Sequence, residues 1–419
     1  MNATLFLNAA QVVTCAGPAR ARRGGEMADV AAISGGAVAI EGDVITAVGP
    51  QEQLLEQFPD AKQVDCSHTV ITPGLVDSHT HAVFGRARYE EHELRAAGSS
   101  YMEIAQKGGG IHASVGDLRA RTEDELYQLT LERVRRLASY GSTTIEIKSG
   151  YGLSLDDEIK SLRVIRRVAE STPIRIIATL LAAHEIPLEH RQRPNGRSEY
   201  VELIVKTIIP AVAEEKLALF SDVFCEPGVF TLQETRAILE ASRTAGLGIK
   251  LHADELKPAG GAELAADIGA VSADHLAAIS ASGIRAIAAS DTVATLLPGT
   301  MLFLGRAKQA PARALIEAGA AVALATDFNP GTSPTVNFPL ILTLAVSLLR
   351  MSASEALVAA TVNGAAALGL AEKVGQLAPG FSADLTIFDV ADFREIPYWY
   401  GDRRCKATWA RGKPCHARA

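Results

Sequence analysis

The sequence predicts an α/β chain in which a (β/α)8 TIM barrel is joined to a small β-domain built by both chain ends. Three observations carry that prediction. Apolar strand candidates alternate with helical segments about eight times between residues 74 and 327, the pattern of parallel βα units. Histidines and an aspartate stand at the ends of several of those strands. Each terminus carries hairpin-like strands too few to bury a core alone. A doubly wound open sheet shares the alternation and is the competing architecture on pattern alone.

Residues 1–73 read as short strands with tight turns. Residues 37–40 and 44–48 flank Glu41-Gly42-Asp43, a hairpin signal. Barrel strands are expected at 74–77, 143–148, 174–180, 222–225, 247–252, 270–275, 292–297 and 320–327. Helical segments at 123–140, 155–170, 231–245, 259–268 and 311–318 separate most of them. The strand pattern then returns in Gly375-Gln376-Leu377, a Pro379-Gly380 turn and residues 383–389. Pairing residues 373–419 with residues 1–73 gives one composite domain, and residues 74–372 are left as the barrel.

Composition narrows the function. The 419 residues carry 41 basic against 48 acidic side chains, a net charge of −7, and 48% are apolar. Nucleic acid is not the expected partner, because neutralising phosphates needs a basic excess or a basic face. No run of eighteen apolar residues offers a membrane span. The N-terminus lacks a basic leader and is interrupted by Asn8 and Gln11, so a secretory signal is not expected. Cys15, Cys66, Cys225, Cys405 and Cys415 are scattered, without C-x-x-C spacing, which fits a reducing cytoplasm. A soluble cytoplasmic protein is the expectation, with a homodimer as the default assembly.

The chemistry-bearing residues gather at strand ends. The first barrel strand finishes in Val76-Asp77-Ser78-His79-Thr80-His81. Side chains two apart on a strand share a face, so His79 and His81 can reach one point and suit a divalent metal. Two surface histidines would look the same in isolation. Position adds weight: His252, His275 and Asp327 end the fifth, sixth and eighth strand candidates, and in a parallel barrel all C-terminal ends open onto one face. The plainer reading of His252 is a core histidine, and of Asp327 a helix N-cap.

Taken together, Pro73-Gly74-Leu75-Val76-Asp77-Ser78-His79-Thr80-His81, the strand-end histidines, Asp327 and the terminal Gly375…Gly380-Phe381-Ser382-Ala383-Asp384-Leu385 segment resemble the amidohydrolase superfamily. That resemblance implies a barrel with a small composite β-sandwich. Two-metal members usually bridge their ions with a modified lysine. None ends the fourth strand, and Lys148 at the end of the second is a poor match, so one metal is implied.

Within the superfamily the chain is most similar to the imidazolonepropionase family. The matching segments are His79-Thr80-His81-Ala82-Val83-Phe84-Gly85-Arg86-Ala87-Arg88 and Tyr101-Met102-Glu103-Ile104-Ala105, followed by Gly108-Gly109-Gly110-Ile111. Glu146-Ile147-Lys148-Ser149-Gly150-Tyr151-Gly152-Leu153, His252-Ala253-Asp254-Glu255 and Ala325-Thr326-Asp327-Phe328-Asn329-Pro330-Gly331-Thr332 continue it. Residues 108–113 also mimic a dinucleotide fingerprint, but they do not follow a strand.

The resemblance implies hydrolysis of the ring amide of 4-imidazolone-5-propanoate to N-formimidoyl-L-glutamate. His79, His81, His252 and Asp327 would hold one divalent or trivalent metal, zinc or iron, and a metal there would bring the pKa of water from about 15.7 toward 7. Asp327 would move the proton, His275 would hydrogen-bond the water or oxyanion, and Glu255, one helical turn past His252, would meet a ring nitrogen. Arg88 would offer a fork to the propionate; otherwise it is a solvated loop arginine. Tyr151, His184 and the turn of Asn329, Gly331 and Thr332 would complete the substrate pocket. His68, His92, His112, His190 and His416 read as loop or surface groups. Deamination of a heterocyclic amine uses a similar ligand set and is the alternative chemistry; a non-catalytic scaffold would have lost the ligands that remain here.

Overall fold

The structure, a computed structural model, describes residues 3–99, 103 and 109–418. Eight parallel strands follow one another around a single sheet: β1 (Leu75–Asp77), β2 (Ser142–Lys148), β3 (Arg175–Ala183), β4 (Phe220–Cys225), β5 (Gly248–Ala253), β6 (Ser272–His275), β7 (Val293–Leu296) and β8 (Val322–Leu324). Spatial order matches chain order throughout. A doubly wound sheet would reverse direction partway, so that alternative is excluded.

Closure comes from the segments just beyond β1 and β8. Thr80 bridges Phe328, the Asp327 N–H donates to the His79 carbonyl at 3.0 Å, and the His81 N–H donates to the Phe328 carbonyl at 2.8 Å. The Asp77 carboxylate accepts from the Thr326 N–H at 3.0 Å and the Thr326 hydroxyl at 2.7 Å. This explains why the expected eight-residue strand at 320–327 shrinks to three. Past Leu324 the chain leaves extended geometry, reaching φ +51° at Asp327, and crosses to β1.

Helices cover the outside. Glu123–Ala138, Leu155–Glu170 and Leu232–Thr244 start where expected because their N-caps are strong. Thr122 and Glu125 form a reciprocal capping box, as do Thr231 and Glu234, while Ser154 accepts from the Asp157 N–H. Ile145 and Ile147 of β2 pack into the apolar layer beneath the helices. Glu146 and Lys148, on the opposite face, point into the bore.

Both chain ends share one sheet. Its order is Lys413–Ala417, Cys405–Ala410, Leu385–Phe388, Val70–Pro73, Gln11–Val13 and Ala32–Ser34. A second sheet holds Val44–Pro50, Gly36–Glu41, Thr4–Leu7 and Lys62–Asp65. Phe6, Val38 and Ile45 of one pack against Val12, Ile71, Leu385 and Ile387 of the other, so the two form a sandwich. Thr386 and Thr408 tie it to the barrel by donating to the carbonyls of Gly141 at 2.8 Å and Ala138 at 2.7 Å. All five cysteines are free. No described helix is long and apolar enough to cross a membrane.

Candidate active site

The C-terminal mouth of the barrel gathers five metal-type donors. Ring nitrogens of His79, His81 and His252 lie within 4.8 Å of one another, as do donor atoms of His79, His275 and Asp327. All five side chains are buried. His79 Nε2 and His81 Nε2 stand 3.3 Å apart, with Asp327 Oδ1 at 3.6 Å from the first and 3.4 Å from the second. The two closure hydrogen bonds create this proximity, because they fasten the backbone of residues 327–328 to that of 79–81.

Carboxylates behind the histidines aim the rings. His79 Nδ1 is 2.6 Å from Asp274 Oδ2, and His252 Nδ1 is 3.0 Å from Asp222 Oδ2. With Nδ1 of His79 donating to Asp274, its Nε2 keeps a lone pair for the mouth. Both ring nitrogens of His252 are buried and make no hydrogen bond among the described residues, with Nδ1 facing the Asp222 carboxylate. Lone pairs converging on one carboxylate oxygen make a donor set that fits a divalent cation.

Electrostatics favour the ligating forms. Burial, with the charge of Lys148 next, holds the His79 ring well below the ordinary histidine value. Burial also brings His252 down to about 4, against the opposing pull of Asp222. For Asp327, burial would raise the carboxyl, but hydrogen bonding to His81 and the charges of His275 and His81 outweigh it and bring the group to about 2. Thr300 donates to Asp327 Oδ2 at 2.5 Å.

The remaining residues line the same mouth. His184 stacks on His81 with ring centres 5.2 Å apart, and the Tyr151 ring lies 5.3 Å from His184. Three backbone N–H groups, of Gly150, Gly152 and Leu153, converge on the buried Glu158 carboxylate and hold the loop that carries Tyr151. Glu255 differs from expectation. It sits in a bend rather than a helical turn, because Asp254 takes φ +48° and its carboxylate accepts from the N–H groups of Ala259, Gly261 and Ala262. The bend still brings Glu255 Oε2 to 3.7 Å from His275 Nδ1, and burial raises its carboxyl.

Arg88 is buried rather than solvated. Its backbone N–H donates to the Pro330 carbonyl at 3.0 Å, its Nε lies 3.6 Å from Glu91 Oε2, and Gly331 packs directly under the guanidinium. Nε and Nη1 make no hydrogen bond among the described residues. Asn329 shapes the adjoining turn: its Oδ1 accepts from the N–H groups of Gly331 at 2.9 Å and Thr332 at 2.7 Å. Of the segment 101–105 and Gly108, only Glu103 lies among the described residues. Gly110, at the far end of that segment, donates its N–H to Glu91 Oε1 at 2.7 Å.

Sequence reasoning missed Asp222, Asp274, Glu91 and Thr300. The first two carry a detectable signal, a carboxylate on a strand close to the mouth and on a chain segment expected to be buried. Glu91 and Thr300 carry none, since nothing in their spacing connects them to Arg88 or Asp327.

Two family descriptions match the chain, the amidohydrolase family over residues 70–415 and the bacterial imidazolonepropionase-like composite domain over residues 36–61. Among curated relatives, the imidazolonepropionase of Geobacillus kaustophilus is 46% identical, covering 98% of this chain and 97% of its own. That of Solibacter usitatus is 41% identical and covers 100% of both. Among solved structures, an adenosine deaminase from Xanthomonas campestris with bound zinc superposes with a TM-score of 0.73 at 19% identity, over 98% of this chain and 92% of that one. Guanine deaminase from E. coli gives 0.74 at 17%, over 100% of both. At such low identity these structures share the fold alone.

Proposed function

From the chain's membership of the imidazolonepropionase family within the amidohydrolases, we infer a metal-dependent hydrolase that opens the ring amide of 4-imidazolone-5-propanoate to give N-formimidoyl-L-glutamate. Deamination of a heterocyclic amine is not favoured, since the relatives that match at 41% identity or more share the hydrolytic name. The observation in the site that carries this reading is Arg88, a buried guanidinium at the barrel mouth that is ion-paired with Glu91 and whose Nε and Nη1 make no hydrogen bond among the described residues. A substrate carboxylate would supply an acceptor that the described residues do not.

His79, His81, His252 and Asp327 would hold one metal ion, zinc or iron. When bound, the metal supplies Lewis acidity and an acidified water. The chain's own groups do the rest. Asp327 takes the proton from the attacking water and returns it to the departing ring nitrogen, so the C–N bond breaks without leaving an unprotonated amide anion. His275 donates a hydrogen bond to the oxygen that gains charge at the attacked carbon. Glu255 accepts from a ring N–H, and Tyr151 and His184 flank the ring. Gly331 and Thr332 shape the wall beneath the propionate, with Asn329 holding their turn.

On the same reading we propose a place in histidine breakdown, in the cytoplasm and as a homodimer, with a small molecule rather than nucleic acid or a membrane as its partner. Turnover of freshly made 4-imidazolone-5-propanoate, followed as appearance of N-formimidoyl-L-glutamate, tests the reading beside a panel of aminated heterocycles. Hydrolysis of the imidazolone without ammonia release from the panel is expected. Ammonia from a panel member, with the imidazolone left intact, overturns it.

A further inference from the structure

The barrel bore beneath the mouth is charged rather than apolar. Lys148 and Lys250 meet Glu146, Asp222 and Asp274 there, and all five side chains are excluded from solvent. Lys148 Nζ lies 2.8 Å from Asp222 Oδ2, 2.9 Å from Glu146 Oε2 and 3.7 Å from Asp274 Oδ2. Lys250 Nζ takes the lower corner, 3.1 Å from Glu146 Oε1 and 2.9 Å from the Ser78 carbonyl. The contacts of Lys148 with Asp222 and Asp274 cross the bore, because β2, β4 and β6 are not neighbours in the sheet.

The two carboxylates that Lys148 touches across the bore are the same two that aim ligand rings. Asp222 Oδ2 faces both Lys148 and His252 Nδ1, and Asp274 Oδ2 faces both Lys148 and His79 Nδ1. We propose that Lys148 is a positioning residue for the metal centre: its ammonium fixes Asp222 and Asp274 in the rotamers that present His252 and His79 to one ion. The inference rests on the ligand set given above.

The physical reason is a balance of charge in a dry space. Three carboxylates packed within one bore repel, and without a central cation they swing apart. Each swing takes an imidazole with it, since a ligating ring is held in orientation by the carboxylate on its other nitrogen. Two ammonium groups against three carboxylates leave one negative charge in excess, which complements a cation bound above. Burial would lower the Lys148 pKa, but Asp222, Glu146 and Asp274 outweigh burial and favour the ammonium.

Zinc affinity of the purified zinc-loaded enzyme, measured by competition with a chromophoric chelator, tests the proposal. Lys148→Met is expected to weaken zinc binding by about 10-fold, the low end of what losing a ligand's own hydrogen-bond partner costs, since Lys148 acts one step further out. Since that variant strands buried acids, the double variant Lys148→Met/Glu146→Gln is made beside it. It conserves net charge in the bore and touches neither imidazole, and the same loss is expected. A folded variant, by circular dichroism, that melts lower yet holds zinc as tightly as wild type overturns the proposal and leaves Lys148 a structural residue. His252→Ala is the control for the ligand set: retention of zinc there would overturn the ligand assignment instead.

Discussion

The backbone N–H of Asp327 donates to the carbonyl of His79 at 3.0 Å, so the residue proposed to move the proton is fastened to a proposed metal ligand through main chain. Side-chain substitution leaves that bond in place. Variants at either position therefore report on chemistry more than on barrel closure.

His79→Ala, His81→Ala and His252→Ala are each expected to lose bound metal and turnover together. Elemental analysis of the purified variants checks this. Full metal occupancy in any one of them removes that residue from the ligand set.

Asp327→Asn keeps the size and the backbone tie but cannot take a proton. With metal restored by excess, kcat is expected to fall by about 10²- to 10⁴-fold, the usual worth of general acid–base help. Near-normal kcat in the metal-replete variant moves the proton work elsewhere, with His275 the nearest candidate.

For Arg88→Ala, losing one member of a desolvated charge pair costs about 2–5 kcal/mol, so kcat/KM should drop roughly 30- to 5000-fold at about 1.4 kcal/mol per decade. Arg88→Lys should recover only part, because a point charge cannot reproduce the fork. Metal content should match wild type in both. Unchanged kcat/KM in Arg88→Ala shows that the carboxylate is gripped elsewhere.

Gly331→Ala is a second probe of the same pocket. An added Cβ would fall 1.4 Å from Arg88 Nη2, so the guanidinium must move. A rise in KM with metal content intact is expected; wild-type KM means that the fork has room to spare.

Acidification should weaken the chelator-stripped protein. Burial holds His79 and His184 well below the ordinary histidine value and His252 at about 4. The unfolded chain therefore takes up protons first as pH falls below about 6.5. The stability these rings contribute is complete above about pH 6.5 and is lost as pH falls below it, in the case of His252 down to about pH 4. Urea midpoints at about pH 7.5 and about pH 5, on either side of the ordinary histidine value, read the difference. Equal midpoints would mean that the rings are solvated.

Much of the barrel is legible in the sequence because each strand and helix announces itself locally. Thr122 with Glu125 and Thr231 with Glu234 mark helix starts, and His79, His81, His252, His275 and Asp327 stand at strand ends in register with a common mouth. What stays hidden is built from contacts between distant parts of the chain. Asp274 and His79 are 195 positions apart, and Lys148 reaches Asp222 across 74. Nothing in either strand's own pattern names its partner. Glu255 departs from expectation for a local reason: three residues after a ligand looks helical until Asp254, at φ +48°, turns the chain into a bend. Arg88 is named in the sequence as the carboxylate fork with a solvated loop arginine as the plainer alternative, and its burial by Gly331 and Glu91 stays hidden because it depends on how two loops dock.

The shared sheet of the sandwich has a consequence for biosynthesis. Pro73 pairs with Leu385, so the strand at Val70–Pro73 leaves the ribosome with one edge open. Its partner follows about 300 residues later, roughly 15 to 60 s at ordinary elongation rates. Through that interval an apolar edge is available to any other extended chain. A stop codon shortly before residue 385 would release a chain with its barrel strands complete and that edge unpaired, the kind of surface that invites pairing with another chain.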